Sequence, residues 1–197
     1  MLIDHKVWFI KEKVDFLKLA GEYEIYMPET NQQIGVAKEE PGGMIKLLRL
    51  LINKILLPNK VNVYDTYDQK VLFTMQKPFS LFSSKVSVTS GSGENLGYFQ
   101  SKVFTIGGGF RVFDPSDRQV AEIKGDWKGW NFKFLNESGA EIGTITKKWA
   151  GIGKELFTSA DNYIIALNET QTFEPKQVIL LLAAGLAVDI VFKENKK

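Results

Sequence analysis

The sequence predicts a closed barrel of twelve antiparallel β-strands that encloses a hydrophobic C-terminal α-helix. One pattern, an alternating strand, a polar turn and a second alternating strand, occurs six times and is typical of a β-hairpin. One segment near the C-terminus is apolar around its whole circumference, so as a helix it must be buried. A chain of 197 residues fits one domain, which we expect to cover residues 1–197.

The six hairpin patterns supply eleven strands of the predicted barrel. Turn-forming residues separate their arms, for example Asp114–Pro115 and Asn136–Gly139. The last pattern is incomplete because its second arm runs into the apolar segment. We therefore expect the N-terminal run Val7–Lys11 to supply the twelfth strand and close the sheet. The patterns are Tyr23–Lys38, Val61–Gln76, Val86–Lys102, Phe110–Lys124, Phe132–Lys147 and Tyr163–Leu181.

The apolar segment Val178–Phe192 is interrupted only by Asp189, and Pro175 lies near its start, where proline is tolerated. As a helix it spans about 22 Å, which is short of the roughly 30 Å hydrocarbon core of a bilayer. About twelve strands leave a lumen wide enough for a helix of about 10 Å diameter, whereas about eight are filled by side chains. The segment is therefore predicted to plug the barrel, and a transmembrane span is the alternative.

A second, amphipathic helix is predicted over Met44–Leu57, which follows the helix breaker Pro41–Gly43. A broad Ile and Leu face lies opposite a mildly basic face. The apolar face can cap an open end of the barrel, or it can lie in the boundary of a bilayer. The candidate headgroup-binding residues of this helix are Lys46, Arg49 and Lys54.

The composition excludes several classes of function. The chain contains no cysteine, which excludes disulfides, thiolate catalysis and cysteine-based zinc sites. The only histidine is His5, and no nucleophile motif is recognisable, so we predict no enzymatic activity. A net charge of +2 predicts no nucleic-acid partner. The N-terminus lacks the apolar core of a secretory signal, which favours a cytoplasmic location.

One local cluster combines basic and aromatic residues: Lys147, Lys148, Trp149 and Lys154. Lysines and an indole can rest on an anionic headgroup surface, where each basic residue contributes about 1 kcal/mol. The alternative is the end of a strand whose Trp149 packs on the rim of the barrel. The cluster is therefore a candidate for binding anionic phospholipids.

The segment Glu141–Leu167 (EIGTITKKWAGIGKELFTSADNYIIAL), with the apolar helix that follows, resembles the C-terminal part of the phospholipid scramblases. The resemblance continues upstream through Lys11–Lys18, Lys77–Phe79 and Leu96–Gln100 and covers about residues 7 to 194. It implies the wider tubby-like superfamily, with the LURP-one-related proteins, and a 12-stranded barrel around a hydrophobic helix. It also implies movement of phospholipids between leaflets, without ATP and in response to calcium.

The calcium-binding segment that this resemblance implies is degenerate here. In the family it begins Asp-Ala-Asp-Asn and places oxygen ligands at alternating positions, whereas this chain has Ser at the first position and Thr170 at the last. Because Ca²⁺ takes six to eight oxygens, usually with several carboxylates, we expect weak calcium binding at most. The alternative is a turn before the last strand. The remaining residues of the segment are Ser159, Asp161, Asn162, Asn168 and Glu169.

We therefore expect a short, bacterial-type, scramblase-like protein that binds anionic phospholipid membranes peripherally and without catalysis. One alternative is a protein-interaction or scaffold module that uses the barrel surface and has no lipid activity. Another is scrambling itself, through insertion of Val178–Phe192 into a membrane, which would require the barrel to open. The position of that helix distinguishes these expectations: enclosure by the barrel favours peripheral binding over insertion.

Overall fold

A computed structural model describes residues 1–13, 20–48, 57–79, 85–101, 109–126, 130–147 and 162–192. These residues form twelve β-strands, two α-helices and a 3₁₀ turn at Leu2–Asp4. The strands are β1 (Val7–Lys13), β2 (Glu22–Met27), β3 (Gln32–Glu39), β4 (Asn59–Asp65), β5 (Val71–Lys77), β6 (Lys85–Ser90), β7 (Asn95–Ser101), β8 (Gly109–Phe113), β9 (Gln119–Asp126), β10 (Asn131–Leu135), β11 (Glu141–Thr146) and β12 (Tyr163–Leu167). The helices are α1 (Gly43–Leu48) and α2 (Pro175–Phe192).

The twelve strands form one closed barrel in which neighbours in the chain pair antiparallel. β1 closes it by pairing with β12 on one side and β2 on the other, so that Trp8 lies opposite Ile165 and Ile10 opposite Ile25. The predicted fold class is confirmed, including the N-terminal closing strand. The five complete hairpins are β2–β3, β4–β5, β6–β7, β8–β9 and β10–β11.

Alternation along the strands sends one set of side chains into the lumen. In β10, Phe132 and Phe134 are buried and the residues between and before them are exposed. β12 differs because all five of its residues are buried. Its Ile164 and Ala166 pack with Phe9 of β1 in a second, smaller cluster on the other face of the sheet. The seam between β1 and β12 is therefore apolar on both faces.

The helix α2 occupies the lumen. Every residue from Val178 to Asp189 is buried, and the helix belongs to one hydrophobic cluster with the inward-facing residues of the strands. The predicted plug is therefore confirmed. Within the described residues, no helix has the length and apolar character needed to cross a membrane.

The plug helix begins at Pro175, three residues before its predicted start. Oε1 of Gln177 accepts the backbone N–H of Glu174 at 2.9 Å, which is one half of a capping box. The N–H of Val178 donates to the carbonyl of Glu174 at 3.0 Å. Pro175 takes the first helical position, where its missing N–H removes no helical hydrogen bond. These local contacts start the helix before its apolar run begins.

The second predicted helix is described only at its start. α1 covers Gly43–Leu48, and residues 49–56 lie outside the described residues. Leu57, the last residue of the predicted range, is buried just before β4. The structure therefore supports the beginning of the helix predicted over Met44–Leu57.

The N-terminal 3₁₀ turn, which was not predicted, packs into one end of the barrel. Leu2 is fully buried, and its N–H donates to Oδ2 of Asp65 at 2.6 Å. Nε1 of Trp8 donates to the Leu2 carbonyl at 3.0 Å. Asp65 also accepts the N–H of Tyr67 at 2.8 Å. A buried carboxylate therefore fixes the N-terminal segment to the turn that follows β4.

Because the strands alternate in direction, the connections divide between the two ends of the barrel. The hairpin turns, the N-terminal segment and the start of α2 lie at one end, which we call the entry rim. The connections between hairpins join strand ends at the other end, where α2 finishes, and we call it the exit rim. Residues 1–6, 28–31, 66–70, 91–94, 114–118, 136–140 and 168–174 belong to the entry rim. The described residues of the connections between hairpins, which form the exit rim, are 20–21, 40–48, 57–58, 78–79, 130, 147 and 162.

Candidate functional site

The described residues of the two predicted lipid-binding stretches lie at the same end of the barrel. One is part of the β3–β4 connection and the other is part of the β11–β12 connection, and both connections join strand ends at the exit rim. The side chain of Lys147 is described, and Lys46 is described as a backbone position of α1. The other predicted headgroup residues lie outside the described residues: Arg49, Lys54, Lys148, Trp149 and Lys154.

Lys147 packs its ammonium group against an aromatic ring at the exit rim. Its Nζ lies 4.2 Å from the centre of the Trp130 ring, well within the distance of a cation–π contact. Trp130 directly precedes β10 and has a φ of 48°, a left-handed conformation that is rare for a bulky residue. Thr146 at the end of β11 pairs with Asn131 at the start of β10. This register brings the lysine and the tryptophan together.

Trp130 also contacts the aromatic side chains of the lumen. Its ring centre lies 5.5 Å from that of Tyr163 and 6.0 Å from that of Phe132, which it meets edge to face. Both partners are fully buried. Trp130 is not among the residues predicted for the site, although its position could have indicated it. Residues just before β10 and just after β11 must face each other across one hairpin.

Buried polar residues lie in the lumen below the exit rim. Asp189, near the end of α2, is 1% exposed, and Tyr23 and Tyr163 are buried on the wall around it. Burial raises the pKa of both tyrosines well above the usual value, and the nearby charge of Asp189 raises these pKa values further. The apolar plug therefore ends among polar groups beneath the rim that holds Lys147.

The connections between hairpins are rich in basic residues in the sequence. Together with the residues after α2, they contain twelve Lys and Arg against five Asp and Glu, a net charge of +7, whereas the whole chain carries +2. Of the twelve basic residues, the structure describes Lys46 and Lys147, both at the exit rim. Two large apolar side chains are exposed at the same rim, Met44 at 78% and Phe79 at 57%. Basic residues beside exposed apolar ones favour the boundary of an anionic bilayer.

The predicted calcium segment does not converge on one point. Tyr163–Leu167 forms the buried strand β12, so Asn162 and Asn168 lie at its opposite ends, about 20 Å apart at about 3.3 Å per residue. Glu169 follows Asn168 at the entry rim. In this arrangement Asn162 cannot ligate the same ion as Asn168 or Glu169. The segment residues outside the described part of the chain are Ser159 and Asp161.

Asn168 forms part of the turn that leads into α2. Its Oδ1 accepts the N–H of Thr170 at 3.0 Å and the hydroxyl of Thr170 at 2.8 Å. Nζ of Lys6 donates to the carbonyls of Glu169 and Gln171 at 2.8 and 2.6 Å. Across the part of the chain that the structure describes, no group of three or more His, Cys, Asp or Glu could hold a metal ion. Asn168 and Glu169 of the predicted calcium segment therefore form part of a turn.

Comparison with known proteins finds one matching family model and two similar proteins. A family model described as Scramblase matches residues 12–195. The chain is 20% identical over 199 residues to altered inheritance rate of mitochondria protein 25 of Saccharomyces cerevisiae, covering 88% of this chain and 60% of that protein. It is 21% identical over 212 residues to a phospholipid scramblase family protein of Schizosaccharomyces pombe, covering 98% of this chain and 55% of that protein. The chain thus spans little more than half the length of these relatives, and no solved structure matches it.

Proposed function

We propose that this chain, which belongs to the scramblase family, binds anionic phospholipid headgroups at a membrane surface, peripherally and without catalysis. The binding surface is the exit rim, and the proposed location is the cytoplasmic side of a membrane. The name of the Schizosaccharomyces pombe relative, a phospholipid scramblase family protein, supports a phospholipid as the ligand class.

The observation that carries this proposal is the contact between Lys147 and Trp130 at the exit rim. Tryptophan is enriched at membrane–water interfaces because its ring is apolar and its N–H is polar. An ammonium group 4.2 Å from such a ring places a positive charge beside an interfacial side chain. The residues proposed to complete this surface are Lys46, Arg49, Lys54, Lys148, Trp149 and Lys154.

The free energy that the basic residues contribute to membrane binding determines the affinity that we expect. Each basic residue near an anionic surface contributes about 1 kcal/mol. Seven net charges therefore supply roughly 7 kcal/mol when all of them reach the surface, which corresponds to an apparent dissociation constant of roughly 10 μM in accessible lipid. Salt screens such contacts, so the binding must weaken as ionic strength rises.

Vesicle flotation tests the proposal directly. We expect the protein to float with phosphatidylcholine vesicles that contain phosphatidylserine, to stay at the bottom of the gradient with pure phosphatidylcholine, and to be released by added salt. Equal recovery with both kinds of vesicle at low salt would contradict the charge-based proposal. Failure to float with either kind would reject membrane binding.

The proposal concerns binding, and lipid movement between leaflets is a separate activity. Movement by insertion of the plug would require α2 to leave a lumen in which every residue from Val178 to Asp189 is buried. We therefore expect proteoliposomes with fluorescent lipid to show no faster exchange than empty vesicles, with or without calcium. Exchange that rises with protein content would establish scrambling in addition to binding.

A groove at the entry rim favours a second candidate function, the binding of a protein partner. It is open to solvent, has a volume of about 580 Å³ and is lined in part by Met27, Gln33, Ile34 and Tyr67. The Tyr67 side chain is 87% exposed, and tyrosine is enriched in protein interfaces. Pull-down in the absence of lipid, with Tyr67→Ala as the comparison, tests this candidate. Capture that is indifferent to the substitution would count against the groove.

A further inference from the structure

A small cavity lies between the plug helix and the barrel wall at the entry rim. It is partly open to solvent and has a volume of about 170 Å³, and we call it the plug slot. Its apolar lining residues are Val120 of β9, Ile142 of β11, Leu181 of α2 and Phe173, which precedes α2. Ile142 and Leu181 are buried, and Val120 and Phe173 pack against the same core cluster. One side of the plug slot is therefore part of the apolar core.

Four neutral polar residues complete the lining of the plug slot: Asn136, Gln171, Thr172 and Gln177. Oδ1 of Asn136 accepts the N–H of Ala140 at 2.9 Å, and Oε1 of Gln177 accepts the N–H of Glu174 at 2.9 Å. Within the described part of the chain, no hydrogen bond engages Nδ2 of Asn136 or Nε2 of Gln177, and none engages the side chains of Gln171 and Thr172. Amide and hydroxyl groups both donate and accept, so the slot can satisfy a neutral polar group.

The size of the plug slot limits the ligand that it can hold. An engineered apolar cavity of about 150 Å³ binds benzene, and the volume of the plug slot is similar. The slot shares Val120, Asn136 and Gln177 with a wider groove of about 390 Å³ on the outside of the entry rim. It therefore has room for one six-membered ring, or for an aliphatic group of similar volume, with a polar group directed towards the groove.

The charged residues near the plug slot lie outside its lining. None of its described lining residues is charged. In the groove outside it, Arg118 pairs with Asp114, with 3.1 Å between Nε and Oδ2, and Glu137 is exposed to water. Nζ of Lys6, 5.9 Å from the centre of the Phe173 ring, donates to two backbone carbonyls. A charged group in the slot would lose hydration without gaining a counter-ion there, which favours an uncharged ligand.

We infer that the plug slot binds a small neutral molecule that joins a six-membered ring, or an aliphatic group of similar volume, to a hydroxyl or amide group. Its apolar part packs against Ile142 and Leu181, and its polar group bonds to the amide groups of Asn136 and Gln177. Because the wall and α2 form the slot together, binding favours the barrel with its plug in place. The site is separate from the membrane contact proposed at the exit rim and from the groove beside Tyr67.

Benzyl alcohol is the probe for this site, because it joins one ring to one hydroxyl group. We expect it to shift the methyl NMR signals of Ile142 and Leu181 saturably, in the millimolar range expected of so small a ligand. Benzoate and benzylammonium carry the same ring with a charged group and should bind at least about tenfold more weakly. The inference is overturned if no saturable shift occurs, if the shifts spare Ile142 and Leu181, or if the three molecules bind equally.

Val120→Phe tests the same site by filling it. Val120 lines the slot and is half-buried, so a larger side chain can enter the slot and should weaken the binding of benzyl alcohol at least about tenfold. Val36→Phe is the matched control, because Val36 is also half-buried but lies in β3, outside the slot. Unchanged affinity in a folded Val120→Phe protein would contradict the site. If that variant does not fold, the shifts in the unmodified protein decide.

Discussion

Gly185 of the plug helix lies so close to Ile165 of β12 that a Cβ on the glycine would be 2.6 Å from Cδ1 of the isoleucine. The two Cγ atoms of the same side chain would lie at 3.0 and 3.2 Å. Ile165 is fully buried, so neighbouring side chains restrict its movement. The missing side chain of Gly185 therefore lets the helix fit against the wall at this point.

Gly185→Ala is expected to lower the free energy of unfolding by about 1 kcal/mol. Overpacking a filled core costs about 1–3 kcal/mol, and alanine recovers about 1 kcal/mol of helix propensity. Urea unfolding measures the difference. Ile165→Val removes Cδ1. In that background we expect Gly185→Ala to lower the free energy of unfolding by a smaller amount.

Gly42→Ala is the matched control for Gly185→Ala, because a Cβ there meets nothing within 4 Å. We expect it to change the free energy of unfolding by less than about 0.5 kcal/mol. If both substitutions had the same effect, the close approach of Gly185 to Ile165 would not be what limits the side chain at this position.

Lys147→Gln is expected to weaken binding to phosphatidylserine vesicles about fivefold, because one basic residue contributes about 1 kcal/mol. The control is Lys70→Gln, which removes the same charge from the entry rim and should leave the affinity unchanged. Vesicle titration of both variants measures the comparison. Equal weakening by the two substitutions would mean that total charge, and not its position, governs binding.

Stability is expected to fall in alkaline solution because of Tyr23 and Tyr163. Burial, assisted by the charge of Asp189, raises their pKa above the value of about 10 in the unfolded chain. Above pH 10 the unfolded tyrosines lose protons that the folded ones retain, so this contribution is complete below pH 10 and decreases as pH rises.

The measurement is urea unfolding at several pH values between about 8 and 11.5, a range that spans the unfolded tyrosine pKa. We expect the double variant Tyr23→Phe, Tyr163→Phe to lose less stability over this range than the unmodified protein. Tyr67→Phe, at an exposed position, serves as the control and should leave the profile unchanged. An unaltered slope in the double variant would assign the alkaline loss to other groups.

Asp65→Ala is expected to lower the free energy of unfolding by about 3 kcal/mol. The substitution removes two hydrogen bonds that the buried carboxylate accepts from the N–H groups of Leu2 and Tyr67, and each bond to a charged group contributes about 1.5–3 kcal/mol. Thermal unfolding measures the loss. Asp68→Ala, which removes an exposed carboxylate that accepts one N–H at 3.1 Å, should cost less.

Calcium at about 1 mM is expected to leave the melting temperature unchanged. This concentration matches the dissociation constants of the weakest calcium sites in proteins. The reason is the separation of Asn162 and Asn168 by the length of β12. Scanning calorimetry with and without the ion makes the measurement, and magnesium is the control. A saturable, calcium-specific rise would show that the strand rearranges to bind the ion.

The barrel could be predicted from the sequence because the features that specify its hairpins lie close together along the chain. Alternation and turn residues define each hairpin, and the N-terminal run Val7–Lys11 was the remaining candidate for the strand that closes the sheet. In the structure this run lies in β1, which pairs with β12. The relation to the scramblases is confirmed by the family match. The relation to the tubby-like superfamily stays a prediction, since no solved structure matches the chain.

The candidate site was harder to predict because it depends on contacts across the barrel. Lys147 and Trp130 meet only because β10 and β11 pair in one register. The calcium segment looked continuous in sequence, but an extended strand separates residues that a loop could bring together. The buried ends of the lumen, with Asp189 at one and Leu2 at the other, follow from packing and not from sequence spacing.

The seam between β1 and β12 has a consequence for synthesis on the ribosome. The strand that emerges first keeps an open edge until the strand that emerges last can pair with it, and the plug follows only after that. At about 5–20 residues per second, this interval is roughly 8–30 s. A nascent sheet with open edges and an empty apolar interior is prone to aggregate. Binding by chaperones would protect it until α2 has been synthesised.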